Sequence, residues 1–250
     1  MATVNAHRPT LRSRLVALGP MPLLAALVVV DLLLAGISLV RLVLVGESLT
    51  DPWLLETDGG WSEWFGYAQQ AALAALLLTL AYVSRRAIWV AYAAIFLCAL
   101  ADDSLRLHEN YGSWIADRLI VRLGFPEHVA GLRLNDLGEM FVWGVLALAP
   151  VAAAVLLHRR SDAGTRRASR GLAVLIAVYL FFGAVVDQVH VLVLDSWAGD
   201  IVGTLEDGGE LVALSLAVVY VVGLHSTARL RRAAPPAVPL AGAPEASPVA

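Results

Sequence analysis

The chain has 250 residues, 59% of them hydrophobic, and its mean hydropathy is +0.72. Soluble domains carry roughly 45–50% apolar residues, so the excess points to lipid. A formal net charge of −3 gives no basis for nucleic-acid binding, and the single cysteine, Cys98, excludes an intrachain disulfide.

The chain opens with a polar tail, residues 1–20, in which Arg8, Arg12 and Arg14 precede an apolar run. That order imitates a signal peptide. The run continues from Met21 to about Val45, whereas a signal core takes about 7–15 residues, so it reads as a retained first span. Crossing a hydrocarbon core of ~30 Å takes about 20 helical residues. Runs of that length follow near 64–84, 87–107, 137–157, 171–194 and 208–227. The expected fold is therefore an all-α bundle of six transmembrane helices over residues 21–230. A tail at 231–250, rich in Ala and Pro, is expected to be disordered.

Arginine sets the expected orientation. The amino-terminal tail has three. Arg85 and Arg86 separate spans two and three, and Arg159, Arg160, Arg166, Arg167 and Arg170 separate spans four and five. Arg229, Arg231 and Arg232 follow span six. All of these fall on one side, which places both termini in the cytoplasm of a cell-membrane protein. Arg41, Arg106, Arg118, Arg122 and Arg133 fall on the other. The acids run the opposite way. Trp53, Trp61, Trp64, Trp114 and Trp197 fall near the outer boundary, as an aromatic belt does.

The outer loop at about 46–63 is acidic. The loop at about 110–134 is long, and Ser113 and Gly124 there delimit an expected interfacial helix, Trp114–Leu123. Asn135 reads as a helix cap. Spans three-four and five-six also look alike. Asp103 lies eleven residues before Trp114 and Asp187 ten before Trp197. Each Ser-Trp pair leads to an acid pair, Asp136/Glu139 or Asp207/Glu210. This reads as an internal repeat of two hairpins.

Four spans carry acids or His at the same, outer end. The groups are Asp102, Asp103, His108 and Glu109; Asp136 and Glu139; Asp187 and His190; and Glu206, Asp207 and Glu210. Carboxylates in hydrocarbon are costly and usually face a bundle interior or a water-filled cavity. Asp187 and His190 form an acid-x-x-His pair on one helix face. Four-helix carboxylate metal sites use such pairs with acids from neighbouring helices. Glu139, Asp187, His190 and Glu210 are therefore the expected ligands of a divalent transition metal, Fe, Mn or Zn. Asp103, Arg106, His108 and Glu109 are the expected catalytic groups, with Arg106 as an anion anchor. Asp102, Arg106 and Glu109 alternatively form a salt-bridge ladder at i, i+4 and i+7. Glu206, Asp207 and Asp136 also suit a first helical turn, where the dipole favours acids. Asp31, near the middle of span one, is expected to be a neutral acid bonded to a nearby group or a proton carrier, and Gln69 and Gln70 to complete the cavity wall.

Nucleotide-binding glycine patterns, Gly-x-Ser-x-Gly and His-Glu-x-x-His are absent from the sequence. The leading expectation is a metal-dependent membrane enzyme acting on a lipid-like substrate. A cation- or proton-coupled transporter is second, because polar residues along the inner half are sparse. An accessory membrane protein without catalysis is the third.

Overall fold

The computed structural model describes residues 20–46, 50–129, 131–194 and 197–233. The N-terminal arginines, Ser196 of the suspected repeat, and 234–250 of the tail expected to be disordered lie outside the described residues.

Nearly all of the described chain is helical. α1 is Met21–Val45, α2 Trp61–Ser84, α3 Ile88–Leu105 and α4 Leu107–Leu123. A two-residue hairpin, β1 His128–Val129 with β2 Leu132–Arg133, leads into α5, Leu134–Arg160. α6, Ala163–Leu180, passes through a π-helical turn, Phe181–Val186, into α7, Asp187–Val193. α8, Trp197–Ala233, is the longest helix. Among the described residues six helical stretches are long and apolar enough to cross a membrane: α1, α2, α3, α5, the continuous α6–α7 and most of α8. Helices suit lipid because they satisfy every backbone polar group internally.

The spans match the apolar runs, but their ends differ. Span three stops at Leu105 because Arg106 takes a left-handed conformation, φ 52°. The interfacial helix starts there, at Leu107, so Ser113 lies inside it rather than capping it. Asn135 is not a cap either: Arg133 is, with the Asp136 carboxylate accepting from its backbone N–H at 3.1 Å. Span five begins at Ala163, eight residues early. The Asp162 carboxylate accepts from the Thr165 N–H at 3.0 Å and caps an arginine-rich first turn. Span six belongs to a helix that starts at Trp197, so Glu206 and Asp207 lie well inside it and the helix-start reading fails for them.

In one half of the bundle α2, α3, α6 and α8 pack an apolar core. Leu73, Leu77, Ile88, Phe96, Leu172 and Val221 are almost fully buried. Polar side chains stitch it: Tyr92 donates to the Ser169 carbonyl at 2.9 Å, and the His225 ring N–H to the Leu76 carbonyl at 2.8 Å. At this end Arg86 pairs with Asp162 at 2.9 Å. The opposite end holds the acids. There α4 lies directly on α5, and a Cβ on Gly112 would stand 2.6 Å from the Glu139 backbone nitrogen. Only two glycines facing each other, Gly112 and Gly138, allow that approach.

Candidate functional site at the acidic end of the bundle

The loop before α2 folds over this end. Arg41 holds the buried Asp51 at 2.7 Å, and the Leu55 N–H donates to Ser38 Oγ at 3.0 Å. The Glu63 carboxylate accepts from the Gly59 N–H. The loop becomes one wall of a cavity of two adjoining lobes. The smaller, about 190 Å³, lies among the loop, α2, α3, α4 and α8. The larger, about 410 Å³, lies among α3–α8 and is lined by Glu139, Trp143, Asp187 and Glu206 among others. Asp103, His108 and Glu210 border both.

The left-handed residue at Arg106 sets the chemistry of this shared wall. A continuous helix would carry His108 away from Asp102. The break turns the chain back, so that Asp102 accepts from the His108 backbone N–H and from the ring Nδ1–H, both at 2.9 Å. Asp102 is nearly fully buried. Both its oxygens are thus committed, and His108 Nε2 is left to face other groups. The ring stands edge-on to Trp143, with centroids 5.9 Å apart. Burial opposes a charged His108, but the bonded Asp102 and the nearby Glu109 and Asp103 outweigh it, so the ring titrates above its ordinary value.

Asp103 faces α2 and α6. Gln70 Nε2 donates to its Oδ2 at 2.6 Å, the Tyr179 hydroxyl at 3.3 Å. The Tyr67 hydroxyl sits between its carbonyl, at 3.1 Å, and the Glu63 carboxylate. Glu63, Tyr67 and Gln70 form an i, i+4, i+7 stripe on α2, a polar pattern visible in the sequence once α2 begins at Trp61. Across the cavity the Asn135 amide donates to Glu139 at 2.7 Å. Glu210 lies over Gly183 of the π-helical turn, where any Cβ would overlap its carboxylate. π turns recur at functional sites.

Of the expected ligands, Glu139, Asp187 and Glu210 line the larger lobe. His190 does not; its Nδ1 shares a hydrogen bond of 2.9 Å with Glu206, which does line that lobe. Of the expected catalytic groups, Asp103, His108 and Glu109 line the smaller lobe. Arg106 does not. It is exposed and bonds Asp58 at 2.6 Å and Glu109 at 2.7 Å. The ladder from Asp102 to Arg106 is thus replaced by a tie to the loop. Among the described residues, Asp102, Asp103 and His108 are the group with ligand atoms within 4.8 Å of one another.

Asp31 stands behind this site, buried in α1, and neither of its oxygens has a hydrogen-bond partner. Ser215, which accepts from Gln69 Nε2 at 2.7 Å, is its polar neighbour on α8.

One further cleft adjoins the cavity. It is apolar, lies between α3, α5 and α6, and is lined by Phe96, Cys98, Leu146, Val151 and Ile176. Trp143, Ala147 and Leu180 border both it and the larger lobe. Its volume is about 60 Å³, and Val151 and Leu180, which line it, are 40% and 36% exposed.

The geometry just described lies within a segment, residues 21–224, that matches a domain of unknown function, DUF8692. The chain belongs to the DUF8692 family. The match covers all the described titratable groups of the acidic end, so the cavity belongs to the DUF8692 domain itself. No curated protein and no solved structure matches this DUF8692 chain.

Proposed function

We propose that the protein is a cell-membrane enzyme acting on a lipid-like, amphipathic molecule at the outer face. The polar end occupies the acidic cavity and the chain lies in the cleft between α3, α5 and α6. One observation carries this reading: the apolar cleft and the acidic lobe lie side by side, with Trp143, Ala147 and Leu180 lining both. Binding sites for small molecules combine apolar walls with a few convergent polar groups. The cleft is too small to enclose a chain, so the chain lies half in protein and half in lipid, along the exposed rim.

In this reading both termini are cytoplasmic, as the arginine distribution requires, and spans three-four and five-six descend from one hairpin. The cofactor is a divalent transition metal, Fe, Mn or Zn. His108 Nε2 and Asp103 supply its first ligands, with Asp102 orienting the imidazole as carboxylates do behind metal-binding histidines. Glu139, Asp187 and Glu210 line the same cavity and supply further oxygens, and His190 supports Glu206. These residues would hold the ion where it would lower the pKa of a bound water and polarise a carbonyl, chemistry that suits hydrolysis. Arg106 and Glu109 stand at the rim.

The unpartnered Asp31 favours a second reading, cation- or proton-coupled transport. Against it stands the apolar core of Leu73, Leu77, Phe96 and Leu172 between the cavity and the arginine-rich end.

A single-chain lipid carrying a photoactivatable group tests the enzyme reading. Labelling is expected on the Trp143–Val151 stretch of α5, and Ala147→Trp should abolish it. Labelling spread evenly over lipid-facing positions such as Val43 and Leu44, unchanged in the variant, would sink the reading.

A further inference from the structure

We infer that the amphiphile carries a protonated amine head group on a single alkyl chain; this rests on the lipid reading above and goes further by naming the head. The charge lining the cavity is one-sided. Seven carboxyl side chains line the smaller lobe and five the larger, with Asp103 and Glu210 common to both. Among the described residues no arginine lines either lobe, and the one basic side chain there, His108, is held by Asp102. Arg106, at the rim, is taken by Asp58 and Glu109. One divalent ion offsets only part of this. Low-dielectric walls lined by one sign of charge focus the field, so a phosphate or carboxylate head enters against it and a cation with it.

Gln70 is the independent observation. Its side chain is 2% exposed. Its amide nitrogen serves Asp103 and Tyr179, at 2.6 and 3.0 Å. Its carbonyl oxygen has no partner, and the residue lines the smaller lobe. Asp207 Oδ2, in the same lobe, is also buried without a partner. Buried polar atoms are almost always bonded, so these two acceptors call for a donor. A phosphate head brings only acceptors. A quaternary ammonium brings charge without N–H. A primary ammonium brings charge and three donors, which answers both the field and the unmet acceptors.

The test uses the full chain in nanodiscs of zwitterionic lipid, with empty nanodiscs as the blank. Binding is measured for hexadecylamine, hexadecyltrimethylammonium, hexadecanol and hexadecyl phosphate, which share one chain. The expected order is amine first, then trimethylammonium, with the phosphate weakest. Glu210→Gln should weaken amine binding about tenfold, the loss expected from one charge contact of 1.4 kcal/mol, and leave hexadecanol unchanged. Asp207→Asn serves if that variant does not fold. Gln70→Leu should weaken the amine more than the trimethylammonium. Phosphate binding as well as the amine, or hexadecanol equalling it, overturns the head-group inference while the chain site stands. If none of the four binds above the blank, the lipid reading fails with it.

Discussion

Arg106 is the residue on which the site turns. A non-glycine residue in the left-handed region costs of order 1 kcal/mol. Here that conformation closes the Asp102–His108 pair, with two charge-assisted bonds to a buried carboxylate. Hydrogen bonds to charged groups contribute about 1.5–3 kcal/mol each, so the pair outweighs the backbone cost. The Arg106 ion pairs with Asp58 and Glu109 are surface contacts worth about 0–1 kcal/mol. Arg106→Gly, which relieves the backbone and loses those pairs, should change unfolding stability by no more than about 1 kcal/mol. A much larger loss in a denaturant titration would show that the guanidinium itself holds the loop.

The pH response belongs to the same pair. The His108 pKa is raised in the folded protein above its ordinary 6.5, so the folded state binds the proton more tightly than the unfolded chain. The stability this contributes is full below about pH 6.5 and disappears as pH rises through the folded value. In Asp102→Asn the bonded carboxylate is gone, and that fall in stability above pH 6.5 should flatten. Melting curves across pH 5.5–9, wild type beside variant, decide it; parallel profiles would mean that the fall comes from another group.

Two crossings set the geometry of the elements. Gly112 and Gly138 bring α4 onto α5 with backbone against backbone, since a Cβ on Gly138 would also stand 3.0 Å from the Gly112 Cα. Backbone cannot swing aside, so Gly138→Ala should separate the helices and cost about 1–3 kcal/mol, as overpacking does. Unfolding of the purified variant reads that cost, and a loss below about 0.5 kcal/mol would mean the helices slide without penalty. Gly183 is the contrast, because what a Cβ meets there is the movable end of Glu210. Gly183→Ala should fold normally yet displace that carboxylate from the cavity. A variant that binds its ligand like wild type would remove Glu210 from the site.

The spans themselves were legible, because length and hydropathy suffice to call a membrane helix. Their ends were not. Arg166, Arg167 and Arg170 read as loop, but they belong to an amphipathic first stretch of α6, with Arg167 and Arg170 exposed, Arg166 half-buried against the Ser161 carbonyl, and Ser169 and Leu172 on the buried side. The stretch before Asp207 likewise fell between spans five and six. It is helical instead, and Gly203 allows a close contact from α8, since a Cβ there would meet Glu56. Tertiary packing overrides local propensity at both places.

At the scale of the whole molecule the sequence pattern identifies which end holds the site but not how its groups pair. Spacing along a helix cannot reveal a one-residue break, so it matched Asp102 to Arg106 rather than to His108. The separation of charge between the two ends does survive in the structure, and it makes a demand. A cavity bordered by this many carboxyl groups, in a bundle with an apolar core, needs protons or cations to neutralise them, since buried charge without a partner is expensive. If a divalent metal is the resident cation, it binds the folded state and not the unfolded chain. Stability then rises as RT ln(1 + [L]/Kd), about 2.7 kcal/mol when free metal is a hundredfold above Kd. Zn²⁺ or Mn²⁺ added to protein purified without chelator should therefore raise the melting temperature. Excess chelator should reverse the rise, and elemental analysis should find a near-stoichiometric ion. His108→Ala and Asp103→Asn should lose both the ion and the shift, while Asp117→Asn, exposed on α4 and outside both lobes, keeps them. Wild-type protein that neither retains an ion nor responds to one would leave protons and the amine head group to neutralise the cavity, and chemistry there would then rest on His108 and its carboxylate neighbours alone.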